Sequence, residues 1–317
     1  MKKIRMNRLY LLFLVHMTLC LGACDRELET IEPYDVYVAI PKTDVTRRLV
    51  EGTDLVSKVF SDTSYVVVDG LQATEVRYLS SIGLAMKLSI FEVDLTNPNI
   101  LIEASTPNNA PAFGRQRMTV QATFEDAEGH KVWGGVNGDF FDGTNGTPRG
   151  ILYKEGVAIR TTFPDIYTTF FGILDNGKAA VGDRALYQTI APNIMEAVGA
   201  RATLVTDGIV VSQTDFTVEP RTCIGVSEDG NTVYIMVIDG RNFHYSNGMN
   251  YESLGKCMKA LGAYQAVNLD GGGSSTFFVR NTPSFAADRF EIRNWPSDNG
   301  GQERAVATGL LIISKTQ

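Results

Sequence analysis

The chain of 317 residues is poor in cysteine, histidine and tryptophan, with four, three and two of them. That scarcity, and the lack of any metal-type Cys/His spacing, argues against a His-rich zinc centre. Positive charge is not in excess either. A formal net charge of −7 argues against a protein that holds nucleic acid through bulk electrostatics, while leaving room for a local basic pocket. Long hydrophobic runs are missing: the apolar stretch at residues 9–19 is too short to be a comfortable membrane span. What remains is ordinary globular composition, 44% hydrophobic and 21% charged, enough for one large domain or two small ones.

The N-terminus reads as an address. Lys2, Lys3, Arg5 and Arg8 precede the short apolar run, and Leu21-Gly22-Ala23-Cys24 has the small residues before cysteine of a bacterial lipobox. The expectation is a signal peptide over residues 1–23, lipidation of Cys24, and a tether and small extra layer over residues 24–80. The protein would then be a monomer anchored to the bacterial cell envelope, on the periplasmic or outer-membrane surface, binding no nucleic acid. With Cys20 removed and Cys24 lipidated, Cys223 and Cys257 are expected as buried free thiols, each on the apolar face of its element.

From residue 84 the pattern sharpens. Leu84, Met86, Leu88 and Ile90 alternate as in a strand. Residues 119–128 predict a helix capped by Thr119 with Val120, Phe124 and Ala127 inward. Glu155-Gly156, Asp175-Asn176-Gly177, Asp207-Gly208 and Asp229-Gly230 each separate two apolar runs, predicting four hairpins. Leu254, Cys257, Met258 and Leu261 predict a second helix, residues 281–303 a long polar loop, and residues 305–314 a closing strand. The fold class is α+β: a mixed, largely antiparallel sheet with a few helices. One repeat is visible. A helix and strand run into Val136-Asn137-Gly138-Asp139, and again into Val267-Asn268-Leu269-Asp270. Two pseudo-equivalent units would bring Asp139 and Asp270 to one cleft.

The second copy continues into Gly271-Gly272-Gly273-Ser274-Ser275. Three glycines permit positive φ and close approach of a ligand, and turn amides can converge on an anion. A carboxylate, glycines and paired hydroxyls suggest a site for a polar, anionic ligand; the plainer alternative is a glycine-rich turn capped by aspartate.

Taken together, Asn137-Gly138-Asp139-Phe140-Phe141, Arg221-Thr222, Asp239-Gly240-Arg241, Asn268 to Ser275 and Arg304-Ala305-Val306 resemble the phosphodiester glycosidase family over roughly residues 80–315. Many members carry glycine where Asp139 stands. The resemblance implies a catalytic domain over residues 81–317 that hydrolyses the glycosidic C1–O bond of a sugar 1-phosphodiester in a phosphorylated glycan, with no cofactor required. It implies Asp270, Asp239 and Asp139 as the catalytic carboxylates, and Arg149, Arg221, Arg241 and Arg304 as arginines for the phosphate. Asn137, Thr222 and Asn268 would orient neighbours or sugar hydroxyls, and Gly271, Gly272, Gly273, Ser274 and Ser275 would supply amide and hydroxyl donors. Two alternatives stay open: a phosphodiesterase holding Ca²⁺ or Mg²⁺ on Asp139, Asp142, Asp239 and Asp270, and a non-catalytic glycan-binding lipoprotein.

Overall fold

The computed structural model describes residues 40–164, 166–281, 288–298 and 300–315. The expected signal peptide, Cys24 and the start of the tether lie outside the described residues. In chain order the elements are α1 (Asp44–Gly52), β1 (Val56–Val68), β2 (Leu71–Ser80), β3 (Ala85–Asp94), β4 (Ile100–Ser105), α2 (Met118–Glu125) and β5 (His130–Asn137). The hairpin region follows with β6 (Leu152–Lys154), β7 (Val157–Arg160), β8 (Thr169–Leu174), β9 (Ala179–Asp183), α3 (Arg184–Ile190), β10 (Ile194–Ala200), β11 (Thr203–Thr206) and β12 (Ile209–Val210). The chain closes with β13 (Arg221–Val226), β14 (Thr232–Ile238), α4 (Tyr251–Leu261), β15 (Gln265–Asn268), β16 (Phe277–Arg280), β17 (Phe290–Ile292) and β18 (Gly309–Lys315).

The strands form three sheets. An eight-stranded sheet runs β1-β2-β3-β14-β13-β15-β11-β12, and two five-stranded sheets run β17-β16-β5-β18-β4 and β7-β6-β10-β8-β9. Among the described residues every strand pairing is antiparallel. This is an α+β architecture, with four short helices among the described residues. The four turn signals all make hairpins, and at two of them both turn residues have positive φ: Glu155 (+52°) with Gly156 (+77°), and Asp207 (+50°) with Gly208 (+70°). Such turns match the right-handed twist of their strands.

The eight-stranded sheet is covered on both faces, which is why β3 is buried almost throughout rather than on alternate residues. One face packs Phe91, Val93, Ile235 and Val267 against Val136, Phe277 and Leu310 of one small sheet and Phe171 and Val198 of the other. The opposite face carries α1 and α4, where Leu88, Ile90 and Met236 meet Val45, Leu49, Leu254, Met258 and Leu261. Asn250 caps α4 by accepting from the Ser253 amide at 2.9 Å, and Gly262 ends it in the left-handed conformation. Cys223 and Cys257 are buried, free thiols in this second core.

Two expectations need correction. Residues 44–80 are no separate layer: β2 pairs onto β3 and β1 onto β2, extending the large sheet, and the described residues form one compact unit. Helix α2 is also turned the other way. Val120 and Phe124 are exposed, while Met118, Gln121, Ala122 and Glu125 face inward. Dedicated partners make the polar positions cheap to bury. Gln121 donates to the Val306 and Gln116 carbonyls and accepts from Ser105, and Glu125 meets Lys154. Thr119 does not cap; its hydroxyl bonds Glu303 from inside the helix.

Candidate active site

Antiparallel register gathers the motifs at one end of the molecule. Arg221 pairs with Ile238 and Cys223 with Asn268, so β13 begins where β14 and β15 end. In the neighbouring small sheet Phe277 pairs with Val136 and Gly309 with Asn137. The two pseudo-equivalent units therefore belong to different sheets, one ending β5 and the other β15. Asn137 staples those sheet ends together. Its Nδ2 donates to the Asp270 carbonyl at 2.7 Å, and its Oδ1 accepts from Thr222 Oγ1 at 2.7 Å and the Thr276 amide at 3.1 Å. The Asp270 amide donates to the Gly138 carbonyl at 3.0 Å.

Asp139 and Asp270 meet across this staple. Asp139 is 1% exposed, with Oδ2 accepting from the Gly150 amide at 2.6 Å and Oδ1 without a partner. A β-carbon on Gly199 would stand 2.6 Å from that Oδ2, so only glycine admits the carboxyl there. Burial pushes Asp139 up to about 7, and the nearby Asp270 charge adds to the rise against the Gly150 bond. Asp270 is partly exposed, and its Oδ1 accepts from the Gly271 amide at 2.9 Å. Burial raises it to about 6, with Ser274, that amide and Arg304 pulling the other way. Two acids of this kind titrate as a pair.

The glycine turn is a single 3₁₀ turn, with Gly272 at φ +59°. The amides of Gly271, Gly272, Ser274 and Ser275 donate to Asp270, Pro220, Gly271 and Gly272, so these four are already satisfied. Two arginines lie beside the turn. Arg304 Nη1 donates to Ser274 Oγ at 3.2 Å while its Nε and Nη2 grip Asp298 Oδ2. Arg241 has φ +59°, a strained conformation for a non-glycine residue, and its Nε donates to Glu219 at 2.6 Å. Its guanidinium lies 3.2 Å from where a Gly272 side chain would begin. Asp298, which packs against Gly273 and faces both arginines, was not found from sequence; it lies in a polar loop with no spacing signal.

Other motif residues flank this centre with their polar groups engaged. Arg221 is buried, with Nε on the Met249 carbonyl, Nη2 on Thr217 and the guanidinium 4.2 Å from the Tyr251 ring centre. That geometry braces the loop before β13 rather than presenting a phosphate ligand. Arg149 follows Phe140 in the Asp139 loop, but its guanidinium turns to Asp142 at 3.5 Å. Asp239 is 2% exposed and held by Asn294 Nδ2 at 2.9 Å and the Trp295 amide at 2.8 Å. Burial raises it to about 6. Asn294 Nδ2 also donates to the Ser275 carbonyl, linking Asp239 to the glycine turn. Asn268 is buried with Oδ1 unpartnered, as is Ser275 Oγ.

Among the described residues no three of Asp139, Asp142, Asp239 and Asp270, the ligands of the metal-dependent alternative, converge as a group that could hold an ion. Asp142 accepts from the Thr144 amide in its own loop. The three-ligand group among the described residues is instead Glu103, Glu125 and His130, at the opposite end of β5 from Asn137 and already paired with Lys315, Lys154 and one another.

A match to a family's sequence model is what makes this β-rich α+β fold, with two interacting carboxyls beside arginines and a glycine turn, a hydrolase of the glycosidase type. The phosphodiester glycosidase family's sequence model matches residues 130–313, more than half of the chain, and the chain belongs to that family. Its fold is similar to the catalytic domain of zebrafish N-acetylglucosamine-1-phosphodiester alpha-N-acetylglucosaminidase, auto-inhibited by its pro-peptide. The TM-score is 0.59 at 19% identity, covering 80% of this chain and 87% of that one. A hypothetical protein from Synechocystis is similar with a TM-score of 0.55 at 13% identity, covering 80% and 64%. No curated protein matches the sequence.

Proposed function

We propose that the chain hydrolyses the glycosidic C1–O bond of a sugar 1-phosphodiester, releasing free sugar and a phosphomonoester. The observation that carries this is the Asp139–Asp270 pair beside Arg304 and Arg241. An oxocarbenium-like transition state wants a carboxylate at the anomeric carbon. Asp270, partly exposed and favoured in its charged form by Arg304, fits that role. Asp139, raised to about 7, keeps its proton in about half of the molecules at neutral pH and in more below it, which limits repulsion between the two acids. The leaving group is already acidic and needs charge stabilisation more than protonation, which planar guanidinium forks supply. The zebrafish protein's name suggests N-acetylglucosamine as the sugar, in a glycan or cell-wall substrate. The reading requires no cofactor, and it includes the lipid anchor at Cys24 in the bacterial envelope.

Hydrolysis in oxygen-isotope-labelled water tests the bond broken. Label in the sugar supports the proposal. Label in the phosphomonoester, or no turnover of a panel of sugar 1-phosphodiesters, overturns it.

A further inference from the structure

Beside Asp239 the inner face of the large sheet changes character. Deeper in, Ala73 pairs with Phe91 and both are core residues. Toward the site end the same face carries Thr63 opposite Glu75, and Arg77 opposite Lys87. Tyr245 and Arg293 close over them, enclosing a pocket of about 280 Å³. Its strands β1–β3 lie outside the matched family region.

We propose that this pocket binds an acidic group, carboxylate or phosphate, on the sugar that the scissile phosphodiester joins to the anomeric carbon; the assignment rests on the reading above. Glu75 is the pocket's single lining carboxylate, and it already engages two cations, Lys87 at 2.8 Å and Arg293 at 2.6 Å. Arg77 is left over. It is exposed, makes no hydrogen bond or ion pair with described residues, and stands 5.2 Å from the Tyr245 ring centre. A guanidinium with free donors beside an aromatic face suits an anion carried on a sugar: the fork takes the acid and the ring takes the pyranose face. Buried Asp239 backs the pocket: the Tyr245 hydroxyl and Lys87, two of its lining residues, act on the Asp239 carboxyl from the pocket side. The pocket is also next to the chemistry. The Asp239 amide donates to the Lys87 carbonyl at 3.1 Å, and Asn294 joins Asp239 to Ser275.

The test uses the full chain and two substrates, N-acetylglucosamine joined through the phosphodiester to glucose or to glucuronate. Wild type should favour the glucuronate substrate by about tenfold in kcat/KM, the size of one charge-assisted contact. Arg77→Ala should erase the preference and Arg77→Glu reverse it, with the glucose substrate unchanged. Equal rates on both substrates in wild type, or equal loss on both in the variants, would overturn the pocket while leaving the hydrolysis reading intact. If neither substrate turns over, the hydrolysis reading fails instead. Calorimetry with glucuronate and glucose 6-phosphate then decides the pocket. Binding of either acid that Arg77→Ala removes supports it, the two ligands telling carboxylate from phosphate. Absence of binding to wild type, or binding that Arg77→Ala leaves intact, overturns it.

Discussion

Glu103, Glu125 and Glu196 are 3–5% exposed, as deeply buried as Asp139 and Asp239 at 1–2%. All six of the glutamate oxygens nevertheless have partners. His130 and Lys315 take Glu103, Lys154 takes both oxygens of Glu125, and the Ala104 and Glu155 amides take Glu196. Each aspartate keeps one oxygen unpartnered. In the glutamate cluster every oxygen is taken by an ion pair or hydrogen bond, although burial still raises Glu125, and Glu196 to about 7. The aspartate end differs not in perturbation but in unfilled acceptors, and that is the capacity a substrate needs.

The comparison can be broken by substitution. The largest effect is expected at the aspartate end. Asp270→Asn is nearly isosteric, so it should lower kcat/KM by about 10²-fold or more while leaving Tm almost unchanged, the scale of losing one preorganised electrostatic group. Retained activity on a sugar 1-phosphodiester would remove Asp270 from the chemistry. In the glutamate cluster Lys154→Met should do the reverse. It strands Glu125 without its cation and should cost about 3–5 kcal/mol in denaturant unfolding, with turnover per folded molecule kept. A drop in turnover without a drop in stability would mean that the two clusters are not distinct in role.

The smallest effect separates the two aspartates by pH. Asp270 should act ionised, from about 6, and Asp139 protonated, below about 7, so kcat/KM should fall on both sides of a narrow optimum between them. Asp139→Asn should remove the alkaline limb. The same variant has a signature in stability. The Asp139 carboxyl is raised from about 3.9 in the unfolded chain, so the folded state binds the proton more tightly. That contribution is complete below pH 4 and is lost as pH rises through about 7. Wild type should therefore lose stability over that window more steeply than Asp139→Asn, and identical slopes would mean that the carboxyl is not perturbed.

Local chemistry made much of this legible. The four hairpins, α4 and the two Val-Asn-x-Asp strand ends follow from turn residues and apolar spacing. The identity of neighbours does not. Nothing in residues 56–80 announces that they extend the large sheet at its β3 edge, because their alternation is interrupted by register shifts within β1. The inward face of α2 was misread because Gln121 and Glu125 are buried by partners more than 25 residues away, Val306 and Lys154. Arg221 and Arg241 look alike in sequence, each at a strand end beside a motif. Only the positions of Met249, Thr217 and Tyr251 show that the first is committed to bracing a loop.

The staple at Asn137 has a consequence for how activity is acquired. One side chain joins Asp270, Thr222 and Thr276, partners 133, 85 and 139 residues away. Such contacts close late, because loop-closure entropy must be overcome first, and chains dominated by long-range antiparallel pairing fold in milliseconds to seconds. With only its first 260 residues released, the chain has neither the glycine turn nor β16 and β18, the strands that β5 pairs with. Catalytic competence therefore waits for the segments that follow the glycine turn, however early the Asp139 loop emerges.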